Sequence, residues 1–330
     1  MYDEVKMKRG AARMSKIVCV HSLSPQHAEL IRGTAPGWEL IAGKERELWL
    51  PHLKEAEIVL GWNAAAEEEC LKPGATLRWV QNFGAGVDRM PLDALAAKGV
   101  IVTNASGVHA YPISETIFAM MLGWTRKIHE SVRYQSERRW QSVGSLGEIH
   151  GKTIGIVGVG AIGEETARLA RAFGMKVLGV RRSGEPSPHV DRMYDLSGLD
   201  ELLSESDYVV VTLPLTPETK HLFDRARFRS VKQGAFFINI GRGGTTDTEA
   251  LIEALQNGVI AGAGLDVFEQ EPLPPDSRLW GMDNVIITPH NSGSTVYYNE
   301  RIVDIFVHNL KDYLQGREPS RNRIDLEKRY

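Results

Sequence analysis

From Ser15 onward the chain alternates short apolar runs with stretches of helical spacing. KIVCVH leads into a helix from about Pro25, WELIAG into one reaching Glu47, and AEIVLGW, LRWVQNF and VIVTNA follow. This alternation predicts an α/β fold, a parallel sheet covered by helices, because parallel strands need helical crossovers to connect them. From Ala110 to about Glu137, with Gly123 its single glycine, the chain carries apolar positions at helical spacing in its first half, which predicts one long connecting helix. The stretch SVGSLGEIHGKT (142–153) reads as a linker, after which a second series begins with TIGIVGVGAIG and continues through MKVLGV, DYVVVTL, GAFFINI, VIAGAGLDVF and NVIITPH. That strand count suits a dinucleotide-binding domain.

An amphipathic helix follows, from Ser294 to about Leu314. With no strand series left to join, it is expected to pack back onto the first domain. The expected organisation is a discontinuous substrate domain of 15–109 and 294–330. The dinucleotide-binding domain of 110–293, including the connecting helix 110–137, is inserted into it. Residues 1–14 are expected to be a disordered extension or to reflect an upstream start.

Composition narrows the function classes. The chain has 330 residues, 42% hydrophobic and 25% charged, enough apolar content for a core in each of two domains. A net charge of −3 offers no basic field to gather nucleic acid or an anionic membrane, so phosphate recognition has to be local. Cys19 and Cys70 are too few for a disulfide framework and point to a reducing, cytoplasmic setting. The N-terminal MYDEVKMKRGAARMSK lacks the apolar core of a signal peptide, and no run of about 18 apolar residues exists to span a membrane. Without an HExxH pattern, paired histidines or a carboxylate cluster, no metal is expected. A nucleophilic hydrolase is disfavoured, since no GxSxG elbow occurs and Ser292 and Ser294 lie on a glycine loop.

The sharpest local signal is Gly158-Val-Gly160-Ala161-Ile162-Gly163, placed between the strand TIGIV and a helix. Gly158 allows the tight turn, Gly160 clears space for a pyrophosphate, and Gly163 lets helix and strand pack closely, so the helix N-terminus can hold the phosphate charge. After MKVLGV, where an acid usually binds the adenosine ribose, stand Arg181, Arg182 and Ser183. Guanidinium groups there favour a 2′-phosphate, hence NADP(H) over NAD(H), with NAD(H) still possible; Glu185 softens the contrast. Arg242, Glu271 and His290 each lie just beyond the carboxyl end of an expected strand, the edge at which open α/β sheets bind ligands. Alone, His290 would be a packed or surface histidine more often than a catalyst. Company at one sheet edge reverses that.

With GAGVD at 84–88, GVGAIG at 158–163, TLPLTPET at 212–219, NIGRGG at 239–244, LDVFEQEPLP at 265–274 and TPH at 288–290, the chain resembles the D-isomer-specific 2-hydroxyacid dehydrogenase family, especially its glyoxylate/hydroxypyruvate reductase-like members. The resemblance runs from Ser15 to about Leu314. It implies two Rossmann-like domains with parallel sheets, the substrate domain flavodoxin-like, and an oxidoreductase interconverting small 2-oxo and D-2-hydroxy acids. It also implies that His290 is the acid/base, Glu271 its carboxylate partner and Arg242 the cation that holds the substrate carboxylate. A carboxylate beside an imidazole favours the protonated form, ready to give a proton to a carbonyl oxygen. Formate-using members have glutamine where Glu271 stands, so that reaction is disfavoured.

By the same resemblance Ala85 and Gly86 present amides to the substrate carboxylate with Asn104 nearby, and Asp266 contacts the nicotinamide carboxamide. GAGVD as a strand-ending turn and Asp266 as a loop stabiliser are the plainer alternatives. Leu213, Pro214, Thr219, Ile240, Gly241 and Gly293 align with positions flanking the cofactor. Thr116 stands where many members carry histidine, and Phe83 stands where a smaller residue is frequent, which bears on substrate size. Trp140 in ERRW aligns with a helix-end aromatic that either packs within the chain or enters a neighbouring subunit's site. A homodimer built on the 110–137 helix is expected. The competing function is a non-catalytic dinucleotide sensor resembling the family's corepressor branch, which retains the same motifs.

Overall fold

The computed structural model describes residues 14–87 and 89–326. The expected N-terminal extension lies outside them except for Met14. The chain divides into two compact units, Met1–Val108 with Val296–Tyr330, and His109–Thr295.

The first unit holds five parallel strands, β1 (Lys16–Cys19), β2 (Glu39–Ala42), β3 (Ile58–Leu60), β4 (Trp79–Gln81) and β5 (Ile101–Thr103), in the order β2-β1-β3-β4-β5. Side chains alternate across the sheet. Val18, Val59, Val80 and Val102 face Trp49, Leu53, Ala66 and Leu95. Ile17, Cys19, Ile58 and Trp79 face Ile31, Val303, Phe306 and Leu310, so the C-terminal helix Tyr298–Leu314 covers this sheet. The helix starts at Tyr298, later than its apolar spacing suggests, because Ser294 closes a turn on Asn291. The order reverses direction between β1 and β3, which opens a crevice at the carboxyl ends of those strands. His21, Trp62, Asn82, Phe83, Gly84 and Tyr298 line a cleft of about 600 Å³ there.

The second unit is a seven-stranded parallel sheet in the order β12-β11-β10-β9-β6-β7-β8. Its strands are β6 (Thr153–Val157), β7 (Lys176–Val180), β8 (Arg192–Tyr194), β9 (Tyr208–Val211), β10 (Ala235–Asn239), β11 (Ile260–Leu265) and β12 (Val285–Ile287). The direction of winding reverses between β6 and β9, the crevice position of a dinucleotide fold. Six of these strands are apolar runs visible in the sequence. β8 is not, because three residues at a sheet edge that pair only with β7 need no such run.

The expected single helix of 110–137 is two helices, Ala110–Thr125 and Ile128–Ser136. The first buries Ile113, Ile117, Phe118, Met120 and Met121, and the second buries nothing. Helical stability comes mainly from a packed face, and that face ends at Thr125. The turn is then fixed locally. Lys127 takes a left-handed conformation (φ 52°), the ring of His129 bonds Gly123 O at 2.9 Å through Nδ1, and it stacks on Trp124 at 5.3 Å.

Candidate active site

The glycine loop after β6 has the geometry its sequence suggests. Gly158 has φ 109°, and a Cβ there would lie 2.9 Å from Thr212 Oγ1. A Cβ at Gly163 would lie 2.7 Å from Gly158 O, so only glycine lets the helix Ala161–Ala172 approach β6 this closely. Around Gly160, by contrast, a Cβ would meet only open space, and this N-cap residue carries no side chain to occupy the first amides of the helix. Those amides and the open face above them suit an anion.

Arg181 is bonded to its own loop. Its Nε donates to Glu185 O and its Nη2 to Pro186 O, both at 2.7 Å, and Nη1 lies 3.5 Å from Glu164 Oε1. These bonds hold the guanidinium against its own loop's carbonyls. Arg182 and Ser183 are exposed. Arg182 lies near Glu218, whose carboxyl sits below its ordinary range first through the Thr216 hydroxyl and, more weakly, through this arginine's charge.

At the carboxyl ends of β11 and β12 two loops bring Glu271 and His290 together. His290 Nδ1 and Glu271 Oε2 are 2.7 Å apart, and Glu271 Oε1 accepts the Phe268 amide at 2.9 Å. With Nδ1 held by a carboxylate, Nε2 is the nitrogen left for a substrate. The imidazole is about half exposed and so reachable. His290 sits at φ 51°, a conformation that costs a non-glycine residue about 1–3 kcal/mol and persists only where the surroundings enforce it.

Asp266 supplies that enforcement. It is fully buried, accepts Thr288 Oγ1 at 2.6 Å and Asn291 N at 3.0 Å on one oxygen, and accepts Ser292 N at 3.1 Å on the other. These bonds bracket His290 and tie the carboxylate to its loop.

Arg242 follows β10 on a turn whose carbonyl accepts Asn239 Nδ2 at 3.2 Å and Thr245 Oγ1 at 2.7 Å. Its own Nη1 donates to Gly241 O at 2.8 Å, and the residue is otherwise exposed. Gly241 packs against the carbonyl of Leu213, where a Cβ would come within 2.5 Å, so the Leu213-Pro214 segment and the Arg242 turn lie side by side. The Thr219 hydroxyl donates to Pro214 O at 2.7 Å and closes its own turn, while Ile240 is 4% exposed within the core. Gly293 O is 3.0 Å from His109 Nδ1, a packing contact.

In the first unit the loop after β4 is held by two asparagines. Asn82 Nδ2 donates to Gly84 O at 3.0 Å and Gly86 O at 2.9 Å, and Asn104 Nδ2 donates to Ala85 O at 2.6 Å. Asn104 is thus a loop-holding residue. Tying down three successive carbonyls fixes the orientation of the intervening amides of Ala85 and Gly86. Asn82 and Thr245 lie outside the quoted motifs, and Asn239 stands at the start of NIGRGG with no role read for it, since each of the three works by holding a backbone carbonyl and carries no chemistry of its own. The Thr116 hydroxyl donates back to Pro112 O at 3.0 Å within its helix. Trp140 is fully exposed, which excludes packing within the chain.

A sequence model of the D-isomer specific 2-hydroxyacid dehydrogenase NAD-binding domain matches residues 118–292. A glyoxylate reductase of Thermococcus onnurineus is 34% identical over 291 residues, covering 86% of this chain and 87% of that protein. The chain belongs to the D-isomer-specific 2-hydroxyacid dehydrogenase family. Its likeness lies with the glyoxylate/hydroxypyruvate reductase branch. A glyoxylate/hydroxypyruvate reductase B of Salmonella schwarzengrund is 39% identical over 269 residues, 79% of this chain and 82% of that protein. The solved structure of an NADPH-dependent glyoxylate/hydroxypyruvate reductase from Sinorhizobium meliloti, in complex with NADP and sulfate, superposes with a TM-score of 0.78 at 30% identity, over 96% of this chain and 100% of that one.

As a family member the chain is a 2-hydroxyacid dehydrogenase, an oxidoreductase with a nicotinamide cofactor. Its open Gly160 face and uncapped helix N-terminus fit the cofactor's pyrophosphate. Among the described residues no group of three or more His, Cys, Asp or Glu could hold a metal ion, and no helix is long and apolar enough to cross a membrane.

Proposed function

We propose that this dehydrogenase reduces small 2-oxo acids of the glyoxylate and hydroxypyruvate type to D-2-hydroxy acids, preferring NADPH. The observation that carries this reading is the His290–Glu271 pair at 2.7 Å, seated on a loop that a buried carboxylate holds rigid. When bound, the nicotinamide cofactor supplies the hydride. Glu271 orients the imidazole so that Nε2 gives a proton to the substrate's carbonyl oxygen and takes it back in the reverse direction. Arg242 offers its planar fork to the carboxylate and polarises the adjoining carbonyl. The amides of Ala85 and Gly86 are assigned to substrate binding.

The 2′-phosphate preference is assigned to Arg182 and Ser183, with Arg181 shaping their loop. The Sinorhizobium meliloti relative, described as NADPH-dependent, supports it. The exposed apolar side chains Ile128, Val132 and Trp140 support a homodimer across the helix pair. A monomer by light scattering would overturn that assembly.

The test is a pair of variants. His290→Ala and Arg242→Ala are expected to lose turnover by about 100-fold or more while binding NADPH as the native chain does. Near-normal activity in His290→Ala at neutral pH would refute the assignment. Arg182→Ala is expected to reduce the NADPH/NADH ratio of kcat/KM, and Arg181→Ala to reduce it less.

A further inference from the structure

A second histidine–carboxylate pair, His221 and Glu269, lies outside the chemistry just described. His221 Nε2 and Glu269 Oε1 are 2.6 Å apart, joining residues 48 positions apart in sequence. The other oxygen of Glu269 accepts the Thr248 amide at 2.8 Å and the Thr248 hydroxyl. Burial pushes the Glu269 carboxyl up, but these bonds and His221 hold it below the ordinary range, so it is a fixed anion.

Three chain segments meet at this carboxylate. His221 ends the segment that begins at Leu213, and its amide donates to Gly244 O at 2.9 Å. Thr248 opens the helix Thr248–Gln256, which directly follows the Arg242 turn. Glu269 stands two residues before Glu271, whose own carboxylate is bonded back to the Phe268 amide. The contact between the second and third segments has no slack. A Cβ at Gly243 would lie 1.9 Å from the Phe268 carbonyl carbon and 2.5 Å from Glu269 N. His221 is itself held at φ 50°, a left-handed conformation that a histidine adopts only when its partners demand it.

We propose that His221 and Glu269 are a positioning pair that sets the Arg242 turn against the Glu271 loop, and so sets the geometry with which the 2-oxo acid is held. The proposal rests on the roles given above to Arg242 and Glu271. Among the described residues the Arg242 side chain bonds only its neighbour's carbonyl, Gly241 O, so its aim depends on the backbone turn beneath it. Asn239 and Thr245 hold that turn at its base, and the His221–Glu269 pair closes it against the neighbouring loop. Glutamine at 269 keeps one acceptor oxygen and loses the charge: its NH2 set toward Thr248 breaks that side of the link, and set toward His221 it makes the imidazole accept instead of donate, in either case weakening the link without changing volume.

The experiment compares His221→Ala, Glu269→Gln and His221→Gln with Arg242→Ala, reading KM for glyoxylate, kcat, and the Kd of NADPH by fluorescence titration. His221→Ala and Glu269→Gln are expected to raise KM by about tenfold or more while leaving the NADPH Kd within about twofold of native, since displacements near 1 Å are costly in positioned sites. His221→Gln, which restores a donor toward Glu269, is expected to recover most of the loss. An unchanged KM in Glu269→Gln overturns the proposal. So does a NADPH Kd that worsens in parallel with KM, which marks general damage, and so does a lack of recovery in His221→Gln. Arg242→Ala separates the two possible failures. A near-native KM there overturns the site reading together with this proposal, whereas a raised KM in Arg242→Ala beside native values in the other variants overturns the pair alone.

Discussion

Replacing Asp266 with asparagine asks how far catalysis depends on a residue that touches no substrate. The native carboxylate accepts Thr288 Oγ1 and Asn291 N on one oxygen and Ser292 N on the other, in a fully buried site. Asparagine retains one acceptor. Its least costly placement leaves the oxygen toward Thr288 and Asn291 and sets the NH2 against the Ser292 amide, so one bond is lost outright and two lose their charge. A hydrogen bond to a charged group is worth about 1.5–3 kcal/mol, and leaving a buried amide unpaired costs a comparable amount, so about 2–4 kcal/mol is at stake. His290 sits between the affected amides at φ 51°, a conformation costing about 1–3 kcal/mol that relaxes once the bonds weaken. If about 2 kcal/mol goes into displacing the imidazole, kcat falls by about 30-fold. Initial rates of NADPH oxidation, a thermal melt and an NADPH titration together locate the cost. Lowered kcat with near-native coenzyme affinity is expected, and native kcat with a native Tm would refute the reasoning.

Phe83→Ala removes a ring that lines the cleft of the first unit and packs on His21 with centroids 4.3 Å apart and the planes tilted by 32°; the ratio of kcat/KM for larger 2-oxo acids over glyoxylate is expected to rise, and an unchanged ratio counts against Phe83 as a limit on substrate size. Asp207 accepts Thr153 N at 2.9 Å and pairs with Lys232 at 2.7 Å; burial pushes its carboxyl up, but these partners hold it below the ordinary range. The depressed value makes its stabilisation full above about pH 4, where the unfolded carboxyl is ionised, and loses it as pH falls through the lower folded value. Asp207→Asn is therefore expected to be less stable than the native chain at neutral pH, with the gap in denaturant midpoint closing in acid; a gap that stays constant in acid refutes it.

Much of the architecture was legible because parallel strands buried on both faces are written as near-continuous apolar runs, as in Tyr208–Val211 and Ala235–Asn239. β8 lacks such a run, and the break at Lys127 depends on where the buried face of its helix stops, which spacing alone does not reveal. In the candidate site, residue types marked Gly158, Gly163 and the His290–Glu271 pair. The division of hydrogen bonds was not legible. Arg181 and Asp266 have the chemistry for ligand contacts, yet one bonds carbonyls four and five residues along its own loop and the other bonds amides 25 and 26 residues away. Composition shows that a donor or acceptor exists, and only the fold decides which partner reaches it first.

The central claim is that this chain turns over 2-oxo acids with hydride delivered to give the D-configured product. Hydroxypyruvate and NADPH, followed by oxidation of the coenzyme and resolution of the product enantiomers, test it most directly. Steady turnover yielding D-glycerate is expected. Coenzyme binding with no oxidation across a broad panel of 2-oxo acids, or an L-configured product, would contradict it.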